Sequence, residues 1–283
     1  MKELRARPTA PLFDSGTGLL VALVPGPEPT LSLFGAGGNK TVALPGPATS
    51  LTGNGDGVVH LATRGGYFSV DLAAGTTARV DVPGEAATDF TALARRADGR
   101  FVLGSADGTA FTLTGDGRVA ERAKIFAHVD VIVTVGDDAV VLDRGQTSVT
   151  ALDGRGKAQQ SLRAGEGATT MTSDAAGRVL VADTRGGQLL VFGVDPLIER
   201  QAFPVPDAPY GLAGSPNLAW ISQTASNVVI GYDLATGIPV EKVRYPTVQQ
   251  PDSLAYDEAS NTLYVVSGSG AGVQVIRDAA GAG

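Results

Sequence analysis

The chain has 283 residues, a net charge of −7 from 29 acids against 22 bases, and no cysteine. These numbers exclude disulfides, thiolate chemistry and cysteine-ligated zinc. They also argue against nucleic acid, because phosphate binding is driven by Lys and Arg and no basic run is present. No window approaches the roughly 18 apolar residues of a membrane span, and the charge suits a dispersed, monomeric protein.

From the first residues onward the pattern is short apolar runs broken by turn signals. Glu3-Leu-Arg-Ala-Arg-Pro8 reads as a strand that runs into a Pro-rich crossing. After it a unit of about 40 residues recurs to the end of the chain: apolar run, Gly/Asp turn, second run, small-residue corner, third run, turn, and a polar fourth run. Units begin near residues 12, 48, 88, 128, 168, 208 and 251, with second-strand anchors at Leu19, Val58, Phe101, Ala139, Val179, Leu218 and Leu263. Asp98-Gly99, Asp107-Gly108 and Asp116-Gly117 supply hairpin turns in the third unit.

The fifth and sixth units align best. Gly177-Arg-Val-Leu-Val-Ala-Asp183, Gly187-Gln-Leu-Leu-Val-Phe192 and Glu199-Arg-Gln-Ala-Phe-Pro204 match Asn217-Leu-Ala-Trp-Ile-Ser222, Asn227-Val-Val-Ile-Gly-Tyr-Asp233 and Glu241-Lys-Val-Arg-Tyr-Pro246. The last unit stops after Thr262-Leu-Tyr-Val-Val266 and Gly272-Val-Gln-Val-Ile-Arg277, without a fourth strand. Four strands per repeat at this period predict an all-β, seven-bladed β-propeller filling residues 1–283 as a single domain. Residues 3–8 are expected to supply the missing outer strand of the last blade and so remove its open edge.

Val181-Ala-Asp-Thr-Arg-Gly-Gly-Gln-Leu-Leu-Val-Phe192 resembles an NHL-repeat strand pair, and Asn227-Val-Val-Ile-Gly-Tyr-Asp-Leu-Ala-Thr-Gly237 resembles a YVTN-type repeat. The resemblance covers the chain. It implies a seven-bladed scaffold, frequently extracytoplasmic and sometimes a bacterial lipoprotein, and it implies no catalytic residues. An Ala/Gly/Val/Arg-rich, Lys-poor composition of the kind met in high-GC bacteria points the same way. So does a start at Met1-Lys-Glu-Leu, which suits a chain cut just after a secretory signal or a lipidated cysteine.

In a propeller the corners between second and third strands share one face with the crossing loops between blades. The corners read Val24-Pro-Gly, Thr63-Arg64-Gly, Ser105-Ala-Asp107, Asp143-Arg144-Gly, Asp183-Thr-Arg185, Ser222-Gln223-Thr and Ser267-Gly-Ser269, and the crossings add Asp130, Asp207, Tyr210 and Asp252. Arg64, Asp107, Asp130, Asp143, Arg144, Asp183, Arg185, Tyr210 and Asp252 are therefore the candidate ligand-binding residues, for a polar or anionic ligand or an exposed loop of a partner. Asp and Arg at tight corners also pair with each other and cap turns, which is the alternative for every one of them. Trp220, Phe111, Phe192 and Tyr232 fall at positions that pack between blades. Pro25-Gly-Pro-Glu-Pro29 makes a rigid exposed corner.

Propeller lactonases of the gluconolactonase and regucalcin type hold a divalent cation with a Glu, Asn residues and an Asp. Asp143 and Asp183 sit where such an Asp could sit, but no Asn occupies a corresponding corner and Glu3 falls in the outer closing strand, so no metal or other cofactor is expected. Streptogramin-lyase-like propellers use His on this face. This chain has two, His60 within Val58-Val-His-Leu-Ala62 and His128 in Ala127-His-Val-Asp130, and no Ser or Cys elbow beside them. The function expected is a non-enzymatic binding or scaffold propeller of the bacterial cell envelope, with a protein or glycan partner. A lactonase-like hydrolase or lyase with a cation on the channel axis is the alternative.

Overall fold

The computed structural model describes residues 9–281, all strands, turns and loops. The strands form seven antiparallel meanders in chain order, six of four strands and a last one of three. This is a seven-bladed β-propeller. First strands begin at Thr9, Leu51, Phe90, Val131, Ala168, Pro209 and Pro251. The expected closing strand, residues 3–8, lies outside the described residues. A compact unit of Leu12–Ser161 is built from the first four sheets, and a second, from Leu162 onward, from the last three.

Continuous apolar runs occur because both faces of each inner strand are buried. In the sixth sheet Ala219 and Ile221 join Leu180, Leu189 and Val191 of the fifth, while Trp220 and Leu218 point the other way and join Leu263 and Val265 of the seventh. Successive side chains thus serve successive seams. Trp220 is fully buried and stacks on Tyr256 at 6.0 Å. In the first unit the same rule puts Val59, Leu61 and Phe68 against the first sheet, and Ala62 and Tyr67 against Phe90, Leu93 and Leu103 of the third. Fourth strands face solvent and carry polar residues, as in Ala158–Arg163, which makes them poor templates for edge pairing.

Two polar devices join neighbouring sheets. Threonine hydroxyls donate to carbonyls about one repeat further on: Thr49 to Phe90 at 2.9 Å, Thr91 to Val129 at 2.6 Å, and Thr170 to Tyr210. Arg96 has no solvent exposure, and its guanidinium donates to the carbonyls of Gly154 at 2.6 Å and Asp153 at 3.0 Å. It therefore clamps a turn of the fourth sheet onto the third, and Arg100 adds a bond to Gly154 at 2.9 Å.

Candidate functional site

The corners are organised by the last residue of each second strand. That residue is buried at Thr63, Ser105, Asp143, Asp183, Gln223 and Ser267. At all of these but Ser105, whose hydroxyl bonds Asp107 and Thr109 within its own corner, it sits beneath the crossing loop that enters its own sheet, where backbone groups have no ladder partner. Thr63 donates to Pro47 O at 2.7 Å, Gln223 to Pro206 O at 2.9 Å and Ser267 to Gln249 O at 2.6 Å. Where the crossing loop presents N–H groups, the residue is a carboxylate instead. Asp183 accepts from Glu166 and Gly167 at 2.8 Å each and from Gly186 of its own corner at 2.9 Å. Asp143 accepts from Ala127 at 2.6 Å, His128 at 3.4 Å and Gln146 at 2.9 Å. The donor or acceptor character of the corner side chain therefore matches the backbone pole above it.

Both carboxylates are completely buried. They are pins for the crossing loops, and no oxygen of either is offered to solvent. The glycine after Asp183 follows from this: a Cβ at Gly186 would lie 2.0 Å from Oδ2 of Asp183, and Gly187 needs φ of +65°.

The other candidates are exposed or half-buried. In the first unit, Arg64 faces Asp89 at 3.7 Å, with both side chains more than 60% exposed. Asp107 accepts from Lys124 at 2.8 Å and from Ser105 at 2.6 Å. The Lys124 ammonium, with the Ser105 and Thr109 hydroxyls, holds its carboxyl far below the usual carboxylate range. Asp130 accepts from the Arg144 backbone N–H at 2.8 Å, and has His128 Nδ1 at 3.2 Å and Arg144 Nε at 3.9 Å. Asp130, His128 and Arg144 are thus brought together.

In the second unit Arg185 is exposed and lies across Gly167, without an ion pair to a described residue. Tyr210 contributes its carbonyl to Thr170, and the Asp252 carboxylate packs against Gly268. Beside Asp183 an open depression of about 330 Å³ is lined by Arg163, Glu166, Gln188 and Glu199. Sequence reading missed these four, because they belong to a crossing loop and to third and fourth strands rather than to a corner. The Gly165-Glu166-Gly167 run was the available signal for a close-packed loop there.

His60 belongs to none of these groups. It is 8% exposed, between the rings of Phe101 at 4.8 Å and Tyr67 at 5.8 Å. Burial, reinforced by the Arg95 guanidinium, pushes its pKa down to about 4. Among the described residues no group of three or more His, Asp and Glu side chains could hold a metal ion.

No protein-family model matches the chain, and no curated protein matches it. Among solved structures it is similar to a streptogramin B lyase, with a TM-score of 0.77 at 12% identity over 97% of this chain and 96% of that one. It is similar to virginiamycin B lyase from Staphylococcus aureus, with a TM-score of 0.75 at 14% identity over 95% of each chain. Hydrazine synthase of Kuenenia stuttgartiensis gives 0.77 at 12% identity over 97% of each. At these identities the likeness establishes the propeller fold alone.

Proposed function

We propose that the chain is a non-enzymatic binding propeller of a bacterial cell envelope, whose corner loops recognise a polar or anionic group on a protein, a glycan or a small molecule. The observation that carries this reading is how the corner groups divide. Asp143 and Asp183, the carboxylates an axial cation or an acid–base reaction would use, are enclosed and accept backbone N–H groups. Arg64 and Arg144 stand exposed with ion-pair contacts no closer than 3.7 and 3.9 Å, and Arg185 has none among the described residues. A planar guanidinium with free N–H groups matches carboxylate, sulfate or phosphate oxygens in pairs. The depression beside Arg163 has the volume of a small polar ligand. The envelope location rests on the repeat resemblance and the composition.

A lyase reading is the second one, because two of the similar structures are those of lyases. His128, 3.2 Å from Asp130, is the group that would serve it.

The test is an array of carboxylate-, sulfate- and phosphate-bearing glycans and peptides, probed with the parent, with Arg64→Ala plus Arg144→Ala, and with Arg185→Ala. Binding is expected to fall at least about tenfold in one of the variants, about 1.4 kcal/mol, with the melting temperature unchanged. Turnover of streptogramin B or of a lactone by the parent, lost in His128→Ala, would overturn the binding reading.

A further inference from the structure

The first unit contains a buried histidine whose polar atoms neither loop chemistry nor core packing uses. It lies in the seam between the second and third sheets. His60 comes from the second strand of its sheet (Val58–Thr63), Tyr67 from the third strand (Gly66–Asp71) and Asp56 from the turn before His60. Arg95 and Phe101 face them from paired positions on the third sheet. Thr52 and Ser69 flank His60 in register.

The imidazole is held edge-on to two rings that are themselves 4.9 Å apart. Its Nδ1 is buried without a hydrogen-bond partner, and so is Nε of Arg95. The charged groups that act on the imidazole are Arg95 and Asp56, joined across the seam at 2.9 Å. Tyr67 stays neutral, because burial raises its pKa despite Arg95. Burial also acts against the Asp56 carboxylate, but the Val58 N–H and Arg95 outweigh it and hold the pKa down. A neutral imidazole fits this slot. An imidazolium finds a cation and two aromatic edges, and the single carboxylate within its field is already held by Arg95.

We propose that the seam between the second and third sheets is an acid-released latch, in which an imidazolium at His60 competes with Arg95 for Asp56 and parts the two sheets. Because the folded state disfavours the charged ring, closure is fully supported above the ordinary histidine range and weakens as pH falls towards 4. With the ordinary histidine pKa of 6.5 for the open seam and about 4 for the closed one, the open-to-closed ratio rises about 30-fold between pH 8 and pH 5. The seam carries the only histidine buried among the strands, since His128 lies in a half-buried crossing loop.

Hydrogen exchange read peptide by peptide tests this, after correction for the pH dependence of intrinsic exchange. The second and third sheets of the parent should lose protection between pH 8 and pH 5 by about 30-fold, while the sixth sheet keeps its own. His60→Phe should abolish the local loss. Because that variant could misfold, the imidazole of the parent is also titrated by NMR, which is direct in a chain of two histidines. Uniform loss across all sheets, the same loss in a folded His60→Phe, or a buried imidazole that titrates near 6.5 would overturn the proposal.

Discussion

Asp183→Asn is the sharpest probe of how the corners work, since it keeps the shape of the side chain and removes only the charge and one acceptor. Oδ1 receives the Gly167 and Gly186 N–H groups and Oδ2 that of Glu166. A carboxamide can keep the two bonds to one oxygen, but its NH₂ then confronts the third N–H. One bond to a charged acceptor is lost and a buried donor is left unpaired, which together cost about 2–3 kcal/mol. Asp183→Ala removes all three bonds, and the cost rises to about 3–5 kcal/mol, at the edge of what single substitutions do. Urea unfolding is the assay: the midpoint should fall while the slope m stays constant. Arg185→Ala on the same corner is the control and should stay within about 0.5 kcal/mol of the parent, because its side chain is exposed. If Asp183→Asn unfolds within about 0.5 kcal/mol of the parent, the carboxylate is not a pin and the division of corner groups fails. The outcome also bears on any activity assay, since an Asp183 variant that loses function could have lost its loop rather than a catalytic group.

Arg96→Met keeps the buried volume but removes the donors to the Gly154 and Asp153 carbonyls. It should lower stability by about 2–4 kcal/mol in the same urea titration, whereas Arg100→Gln, on a partly exposed side chain, should cost under about 1 kcal/mol. Gly186→Val drives a Cβ to 2.0 Å from the Asp183 carboxylate and should cost about 1–3 kcal/mol. Thr184→Ser keeps the hydroxyl bonded to Pro209 O at 2.6 Å and should melt within about 2 °C of the parent.

The architecture was readable because strand and turn chemistry are local. Gly177, with φ of +73°, sits at the turn where the Asp-Ala-Ala-Gly signal ends, and Val179–Asp183 follows as the strand. The period then repeats this information seven times. The roles of the corner residues were not readable in the same way. Asp107 and Asp183 both lie at corners, yet one pairs with Lys124 at the surface and the other is enclosed by N–H groups. Asp183 itself ends its strand, under N–H groups of a crossing loop 16 or 17 residues upstream, whereas Asp107 stands two residues beyond the strand end at Ser105, and no side-chain pattern reveals that offset or the pole of the loop. Thr91 and Thr170 looked like ordinary strand residues for the same reason, since their acceptors lie 38 and 40 residues away. Arg96 was invisible as a clamp, because a charged residue beside a turn normally reads as solvated.

Those threonine bonds say something about how such a chain can change over time. Each donor reaches forward by about one period, 41 residues from Thr49, 38 from Thr91 and 40 from Thr170. The acceptor is always a main-chain carbonyl, which every amino acid carries. A duplicated stretch one period long therefore brings its own fastener and finds a ready mate on whatever copy comes next. Side chains downstream can drift without breaking the join, so the array can lengthen or shorten by recombination while its sequence diverges beyond recognition.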